Sequence, residues 1–227
     1  YVSNIEGLDP WGKDGKGSIA KLSPDGKIIN AEWVRGLNAP KGMGLHKGSL
    51  YVADVDQVVE IDVDKGAIKK RIPVPNAERL NDITVDPKGV VYISDSKGNR
   101  VYMLKGDRAT PYVESLQGPN GLLWNKDNLY VLDKGALVRV NYDRTLTIIT
   151  EGMEGGTDGL QMADDRDFIV SCWAGVIYYV YPDGTRQMLL DTRNEKFNSA
   201  DIAFDAASHI LYVPTFWKNR VIAYTLK

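Results

Sequence analysis

Three oxygen-bearing side chains recur about one repeat apart in this chain: Asn81, Asn120 and Asp158. Two amides and a carboxylate are hard donors. Such a set suits Ca²⁺ or Mg²⁺, or the borderline Mn²⁺. Asn120 and Asp158 each precede a glycine, and Asn or Asp before Gly at a strand start also makes plain turns. On pattern alone both readings stand. Lys41 and Ala200 hold the equivalent place in two further copies of the repeat. Lys41 either disfavours a metal beside it or holds an anionic substrate. Asp82 and Asp201, one step further on, read as structural groups that tie down backbone N–H groups between repeats.

The elements that must position these residues follow from the repeat. Each copy has an apolar strand, a polar hairpin turn, and a second apolar strand with an aromatic in it. The copies are KGMGLHKGSLYVAD from Lys41, NDITVDPKGVVYISD from Asn81, NGLLWNKDNLYVLD from Asn120, DGLQMADDRDFIVS from Asp158 and ADIAFDAASHILYV from Ala200. A partial copy, YVSN, opens the chain. The aromatics fall at Tyr1, Tyr51, Tyr92, Tyr130, Phe168 and Tyr212, in steps of 50, 41, 38, 38 and 44 residues. A period near 40 with several strands per period is the signature of propeller blades. The expected fold is all-β: a six-bladed β-propeller of four-stranded antiparallel blades, as one domain over residues 1–227.

In the blade from Asn81, strand A surrounds Ile83 and Val85, and Asp86-Pro87-Lys88-Gly89 is a hairpin turn. Strand B runs from Val90 to Ser94, C from Val101 to Leu104 and D from Ala109 to Val113. The next blade reads Gly121–Trp124, Asn128–Leu132, Ala136–Val140 and Leu146–Thr150. The first copy (Tyr1-Val2, Ile19–Leu22, Ile28–Val34) lacks strand A, and the last lacks strand D. Since a ring must hide its sheet edges, the expectation is that residues upstream of Tyr1 supply both.

Strands alternate direction within a blade, so the starts of the A strands share a face with the B–C loops. The opposite face carries ordinary turns such as Pro24-Asp25-Gly26 and Pro182-Asp183-Gly184. Asn81, Asn120 and Asp158 would therefore converge near a central channel. Its rim would come from Asn4 to Gly17, Asp54-Val55-Asp56, Asp95-Ser96-Lys97, Asp133-Lys134, Cys172-Trp173 and Phe216-Trp217. The first of these loops is long and holds Gly7, Gly12, Gly15 and Gly17, which makes it a candidate mobile lid. Trp11, Trp173 and Trp217 either wall the pocket as a platform for a sugar face or serve as propeller packing.

Composition narrows the function classes. A net charge of −2, with both signs interspersed, gives no case for nucleic acid. No apolar stretch reaches membrane-span length. Cys172 is the single cysteine, inside an apolar run, and reads as a buried core residue. His46 and His209 fall in A–B turns, away from the channel, which disfavours a channel His as base. No Glu occupies a strand A start, as strictosidine-synthase-like chemistry would want.

At the inner-ring residues the chain resembles the regucalcin/gluconolactonase family, with the luciferin-regenerating enzymes. Arg79-Leu80-Asn81-Asp82 is similar to the family's Arg-x-Asn-Asp segment, Pro119-Asn120-Gly121-Leu122 to its Ser/Pro-Asn-Gly-Leu segment, and Thr157-Asp158-Gly159-Leu160 to its Pro-Asp-Gly segment. The resemblance implies a six-bladed propeller with one divalent cation in the channel: Ca²⁺, Mn²⁺, Mg²⁺ or Zn²⁺, Ca²⁺ foremost. It implies Asn120 and Asp158 as metal ligands, Asp158 also as general base, and Arg79 and Asn81 facing the substrate. The family's remaining ligand, a Glu, would fall before Tyr1. The short, regular blades are also similar to NHL-type repeats, which bind partners without catalysis.

The expected activity is thus hydrolysis of a lactone or related sugar-acid ester. Asp158 would be the catalytic residue, and Arg79, Asn81, Lys41, Trp173 and Trp217 would line the substrate site. The expected partner is a small molecule, with no nucleic acid and no membrane span. The alternative is a non-catalytic propeller that binds a protein or glycan on the same face. A periplasmic or secreted location is slightly favoured over a cytoplasmic one.

Overall fold

The computed structural model describes residues 1–7 and 9–226; Leu8, within the expected lid, and Lys227 lie outside the described residues. Two compact units divide the chain, Tyr1–Gly118 and Pro119–Lys227. Each carries three antiparallel sheets in chain order.

In the first unit the sheets are β1 (Val2–Asn4), β2 (Gly17–Leu22) and β3 (Ile28–Leu37); then β4 (Pro40–His46), β5 (Ser49–Asp54), β6 (Gln57–Asp62) and β7 (Ala67–Pro73); then β8 (Leu80–Val85), β9 (Val91–Asp95), β10 (Arg100–Lys105) and β11 (Arg108–Val113). In the second they are β12 (Pro119–Asn125), β13 (Asn128–Asp133), β14 (Ala136–Val140) and β15 (Leu146–Thr150); then β16 (Thr157–Met162), β17 (Phe168–Cys172), β18 (Val176–Val180) and β19 (Arg186–Asp191); then β20 (Ala203–Asp205), β21 (Ile210–Pro214) and β22 (Val221–Thr225). Among the described residues the only helix is a 3₁₀ turn over Phe216–Lys218. The fold is all-β, and the six sheets are the blades of a β-propeller, three-stranded at the two chain ends and four-stranded between.

The strands form where the pattern places them. β9 and β17 are buried at all five positions, which is why each opens on three consecutive apolar residues, Val91-Tyr92-Ile93 and Phe168-Ile169-Val170, rather than an alternation. The apolar faces of adjacent blades close over each other. In the first unit Ala53 and Val58 meet Ile83, Ile93 and Tyr102. In the second Leu132 and Leu137 meet Leu160, Phe168 and Val176. The hairpins are turn chemistry. Asp86 Oδ1 accepts the N–H groups of Lys88 at 2.8 Å and Val90 at 2.9 Å, and Gly89 adopts φ +84°.

Several strand ends differ by a few residues from the reading of the sequence, and two of the differences have a packing cause. β3 runs past Val34 to Leu37, because Leu37 is fully buried and pairs with Gly17. Gly17 is therefore not a loop glycine. A Cβ there would stand 2.4 Å from Pro40 Cδ and 2.7 Å from the Asn38 carbonyl oxygen, so the residue is glycine for close packing and opens β2.

Candidate functional site

The A strands share one irregularity. In β4, β8, β12 and β16 the pairing with the next strand shifts between Pro40 and Met43, Leu80 and Ile83, Pro119 and Leu122, and Thr157 and Leu160. Each shift is a bulge, a device that re-aims a side chain. The residues inside these bulges are Lys41, Asn81, Asn120 and Asp158, and the glycines that follow Lys41, Asn120 and Asp158 meet the next blade. A Cβ on Gly42 would lie 2.1 Å from Asp82 Oδ1, one on Gly121 2.3 Å from the Asp158 carbonyl oxygen, and one on Gly159 2.5 Å from the Ile202 amide nitrogen. Glycine stands at these positions because the following A strand packs onto the backbone. The bulge is fastened from strand B: Ser94 Oγ accepts the Asp82 N–H and Ser171 Oγ the Gly159 N–H, both at 2.8 Å. Asp82 and Asp201 lie against Gly42 and Gly159 and accept the next N–H of their own chain, from Ile83 at 2.7 Å and Ile202 at 2.9 Å.

In the second unit the structure brings Asn120 and Asp158 together. Asn120 Nδ2 donates to Asp158 Oδ1 at 2.9 Å, and both side chains are half-buried. Rotating the amide half a turn exchanges its nitrogen for its oxygen at the same place. Two oxygens so placed fit neighbouring positions around one cation, whose ligands stand about 2.3–2.6 Å from a Ca²⁺. Among the described residues no group of three or more His, Cys, Asp and Glu side chains is placed to hold a metal; the pair here is built on an amide and one carboxylate. Behind it lies Cys172, fully buried, whose thiol is pushed up to about 12 by burial and then by the Asp158 charge. It is a core residue, as its setting in the sequence implies, and is not a nucleophile at neutral pH.

Trp173 and Trp217 are 40% and 59% exposed, and Phe216 links them. Its ring stands edge-on to Trp173 at 5.8 Å and to Trp217 at 4.8 Å. Phe216 holds φ +48°, a costly conformation for a bulky residue. The two Trp side chains thus belong to one exposed aromatic cluster and not to the blade core. The reading of the sequence missed Phe216 as their bridge, since nothing in the order Thr215-Phe216-Trp217 betrays a positive φ.

In the first unit the long loop is docked. Lys41 Nζ sits 3.7 Å from the Trp11 ring centroid and donates to the carbonyls of Pro10 and, at 3.1 Å, Ala39. The Arg79 guanidinium carbon lies 5.2 Å from the same ring. The turn that presents Trp11 is set by Asp9, whose Oδ1 accepts the Trp11 N–H at 2.9 Å and whose carbonyl accepts the Gly12 N–H at 3.1 Å. Lys13 pairs with Asp56. Asn81 Nδ2 donates to Ser96 Oγ at 3.1 Å.

Two acidic residues read as rim are instead interior. Asp54 and Asp95 are fully buried. Asp54 Oδ1 accepts the N–H groups of Asn38 and Ala39, both at 2.8 Å. Asp95 takes those of Glu78 at 3.0 Å, Arg79 at 2.8 Å and Gly98 at 2.9 Å. They fasten the entry to strand A, and Asp95 thereby sets the backbone of Arg79. The signal was present in the sequence: an Asp closes strand B at Asp54, Asp95 and Asp133 alike, and a residue repeated in three successive blades serves the blade. His46 and His209 lie at the A–B hairpins, as expected: His46 ends β4 and meets Gly89, and His209 lines a small cavity with Tyr179 and Phe204.

Fold and inner-ring residues together define a propeller of the kind that places unlike side chains on one repeated bulge. The sequence matches the family described as SMP-30/Gluconolactonase/LRE-like over residues 15–216, and the chain belongs to that family. No curated protein sequence matches it. Among solved structures it is similar to one chain of a nidogen/laminin complex, at TM-score 0.75 and 17% identity, over 95% of this chain and 88% of that one. It is similar to a gluconolactonase from Xanthomonas campestris at TM-score 0.69 and 17% identity, over 88% and 76% of the two chains. It is also similar to virginiamycin B lyase from Staphylococcus aureus at TM-score 0.68 and 16% identity, over 94% and 74%. At these identities the likenesses show the shared fold. No helix among the described residues is long and apolar enough to cross a membrane.

Proposed function

We propose that the chain is a lactonase-like hydrolase acting on a lactone or related sugar-acid ester, with Asp158 as the general base. The observation that carries this reading is the Asn120–Asp158 pair at 2.9 Å on adjacent bulged strands, together with membership of a family that includes gluconolactonases. Asp158 offers its carboxylate to the proton of an attacking water. Asn120 holds that carboxylate in one orientation. Asn120 and Asp158 are also the residues that would bind a divalent cation, Ca²⁺ foremost. A cation bound there supplies polarisation of the lactone carbonyl and a bound water of lowered pKa. Arg79 and Asn81 are assigned to substrate oxygens, for which a guanidinium fork is suited.

A second reading has its own support. The exposed cluster of Trp173, Phe216 and Trp217 suits the binding of a protein or glycan, and a structural relative comes from a protein–protein complex. Bound cation separates the two. The test is metal content of the purified chain and of Asp158→Ala, followed by a screen of sugar lactones. One divalent ion per chain, lost in the variant along with hydrolysis, is the expected result. No ion after addition of Ca²⁺ or Mn²⁺, and no hydrolysis, would move the assignment to the binding propeller.

A further inference from the structure

Cations on the loops of the earlier blades are matched by acids. Lys13 pairs with Asp56 at 2.5 Å, Lys97 with Glu78 at 2.6 Å, Arg100 with Glu114 at 3.7 Å and Arg193 with Asp191 at 2.5 Å. The loops around β20 and β21 depart from this. Lys196, between β19 and β20, and Lys218 and Arg220, beside the 3₁₀ turn after β21, are all exposed, and among the described residues none of the three pairs with a carboxylate. The acid next to Lys196 acts elsewhere: burial and then the Glu195 charge push the Tyr224 hydroxyl of β22 up. The same loops build the exposed aromatic cluster. Lys218 Nζ lies 5.9 Å from the Phe197 ring centroid, Asn198 Nδ2 donates to the Trp173 carbonyl at 2.9 Å, and Phe216 bridges Trp173 and Trp217. Lys196 and Phe216 hold φ +56° and +48°. Strain of this kind persists only where the surroundings impose it, and it gathers at ligand clamps.

We propose that Trp173 and Trp217, with Lys218 beside them, form a binding face for an anionic oligosaccharide, one whose sugar rings carry carboxylate or sulfate groups. The occupant follows from two features together. An indole offers a rigid, flat face of negative partial charge, and the C–H face of a pyranose ring is apolar with a weakly positive edge, so the two stack. The unmatched cations require a ligand that also brings negative charge, which a neutral glycan does not. An acidic peptide would use a groove or an open strand edge. The cluster instead stands on loops and a 3₁₀ turn, and the strands it springs from, β17 and β21, are each paired on both sides. The inference rests on the second reading only in taking this cluster as a binding face, and it names the partner. It makes no use of the Asn120–Asp158 pair.

The test is equilibrium binding, with no turnover needed. The full chain is titrated calorimetrically at low salt with a galacturonate hexamer, with a heparin hexasaccharide and with neutral maltohexaose. Polyglutamate and vesicles containing phosphatidylserine are titrated beside them, and tryptophan fluorescence is followed throughout. Expected are saturable binding of at least one anionic oligosaccharide, weakened by added salt, and a fluorescence response. The galacturonate and heparin arms tell a carboxylate ligand from a sulfated one. Trp217→Ala should weaken binding at least tenfold with an unchanged melting temperature, since the side chain is exposed. Lys218→Gln should weaken it less and make it less sensitive to salt. Flat isotherms for both anionic oligosaccharides overturn the proposal, as does equal affinity for maltohexaose or unchanged affinity in folded Trp217→Ala. Binding of polyglutamate or vesicles alone overturns the glycan and leaves the second reading with a different partner. A bound divalent ion with lactone hydrolysis would end the non-catalytic reading, while a saturable oligosaccharide isotherm in the same protein would keep the glycan face.

Discussion

At the same bulged place in strand A, the first unit presents Lys41 and Asn81 and the second presents Asn120 and Asp158. The backbone device is one and the same. Its chemistry differs because a different side chain stands at that place in each blade. In the first unit the cation Lys41 is covered by a docked loop through Trp11 and Pro10. In the second the carboxylate Asp158 is half-exposed beside an amide, with an aromatic cluster in the adjoining loops. A repeat fold therefore sets where chemistry can occur, and one residue per blade decides which chemistry it is. The same comparison applies to the acids. Asp95 and Asp158 are both carboxylates of the blade. One is fully buried on three N–H donors, and the other lies half-exposed against an amide.

Three substitutions would break or sharpen this contrast. The largest effect belongs to Asp158→Asn, which keeps the shape and removes the base. Lactone hydrolysis should fall by about 10²–10⁴-fold, the usual worth of a positioned general base, with the melting temperature nearly unchanged. A steady-state assay beside a thermal melt checks both halves, and full retained turnover would end the role given to Asp158. Asp95→Ala should behave oppositely. It strands buried N–H donors, each worth about 1–3 kcal/mol, so unfolding should shift by several kcal/mol in urea, with Arg79 losing its anchor. A variant as stable as wild type would remove the distinction between structural and functional carboxylates. Smaller still is Gly121→Ala. Its Cβ would press on the Asp158 backbone, 2.3 Å from the carbonyl oxygen, and overpacking of this kind costs about 1–3 kcal/mol. Because the strain falls on the proposed site, kcat should drop along with stability. A stability loss with kcat intact would show that the bulge does not set the position of Asp158.

Much of the fold was legible. The aromatic period, the Pro/Asp-Gly turns and the apolar runs located the blades, and β14 and β15 match their expected bounds residue for residue. Two of the bounds that moved did so for tertiary reasons. Leu37 joins β3 because it is buried, and Gly17 is excluded from the loop by Pro40 and Asn38. For the site, the pairing of Asn120 with Asp158 was implied by register, since equivalent positions of adjacent blades must be neighbours. The burial of Asp54 and Asp95 was not recognised, because an acid at a strand end looks the same whether it faces water or a row of backbone N–H groups. The recurrence of that Asp in successive blades was the available clue.

The sequence by itself determined the all-β repeat, its blade count, and which residues sit at the start of each A strand, because strand and turn preferences act over a few residues and the period multiplies them. Only the tertiary structure decided what those residues touch. Gly42, Gly121 and Gly159 are glycines because another strand arrives on them. Lys41 and Arg79 share one indole because a loop from far along the chain folds over them. Such contacts join residues tens of positions apart, and their distances are set by packing between blades, which no local pattern encodes.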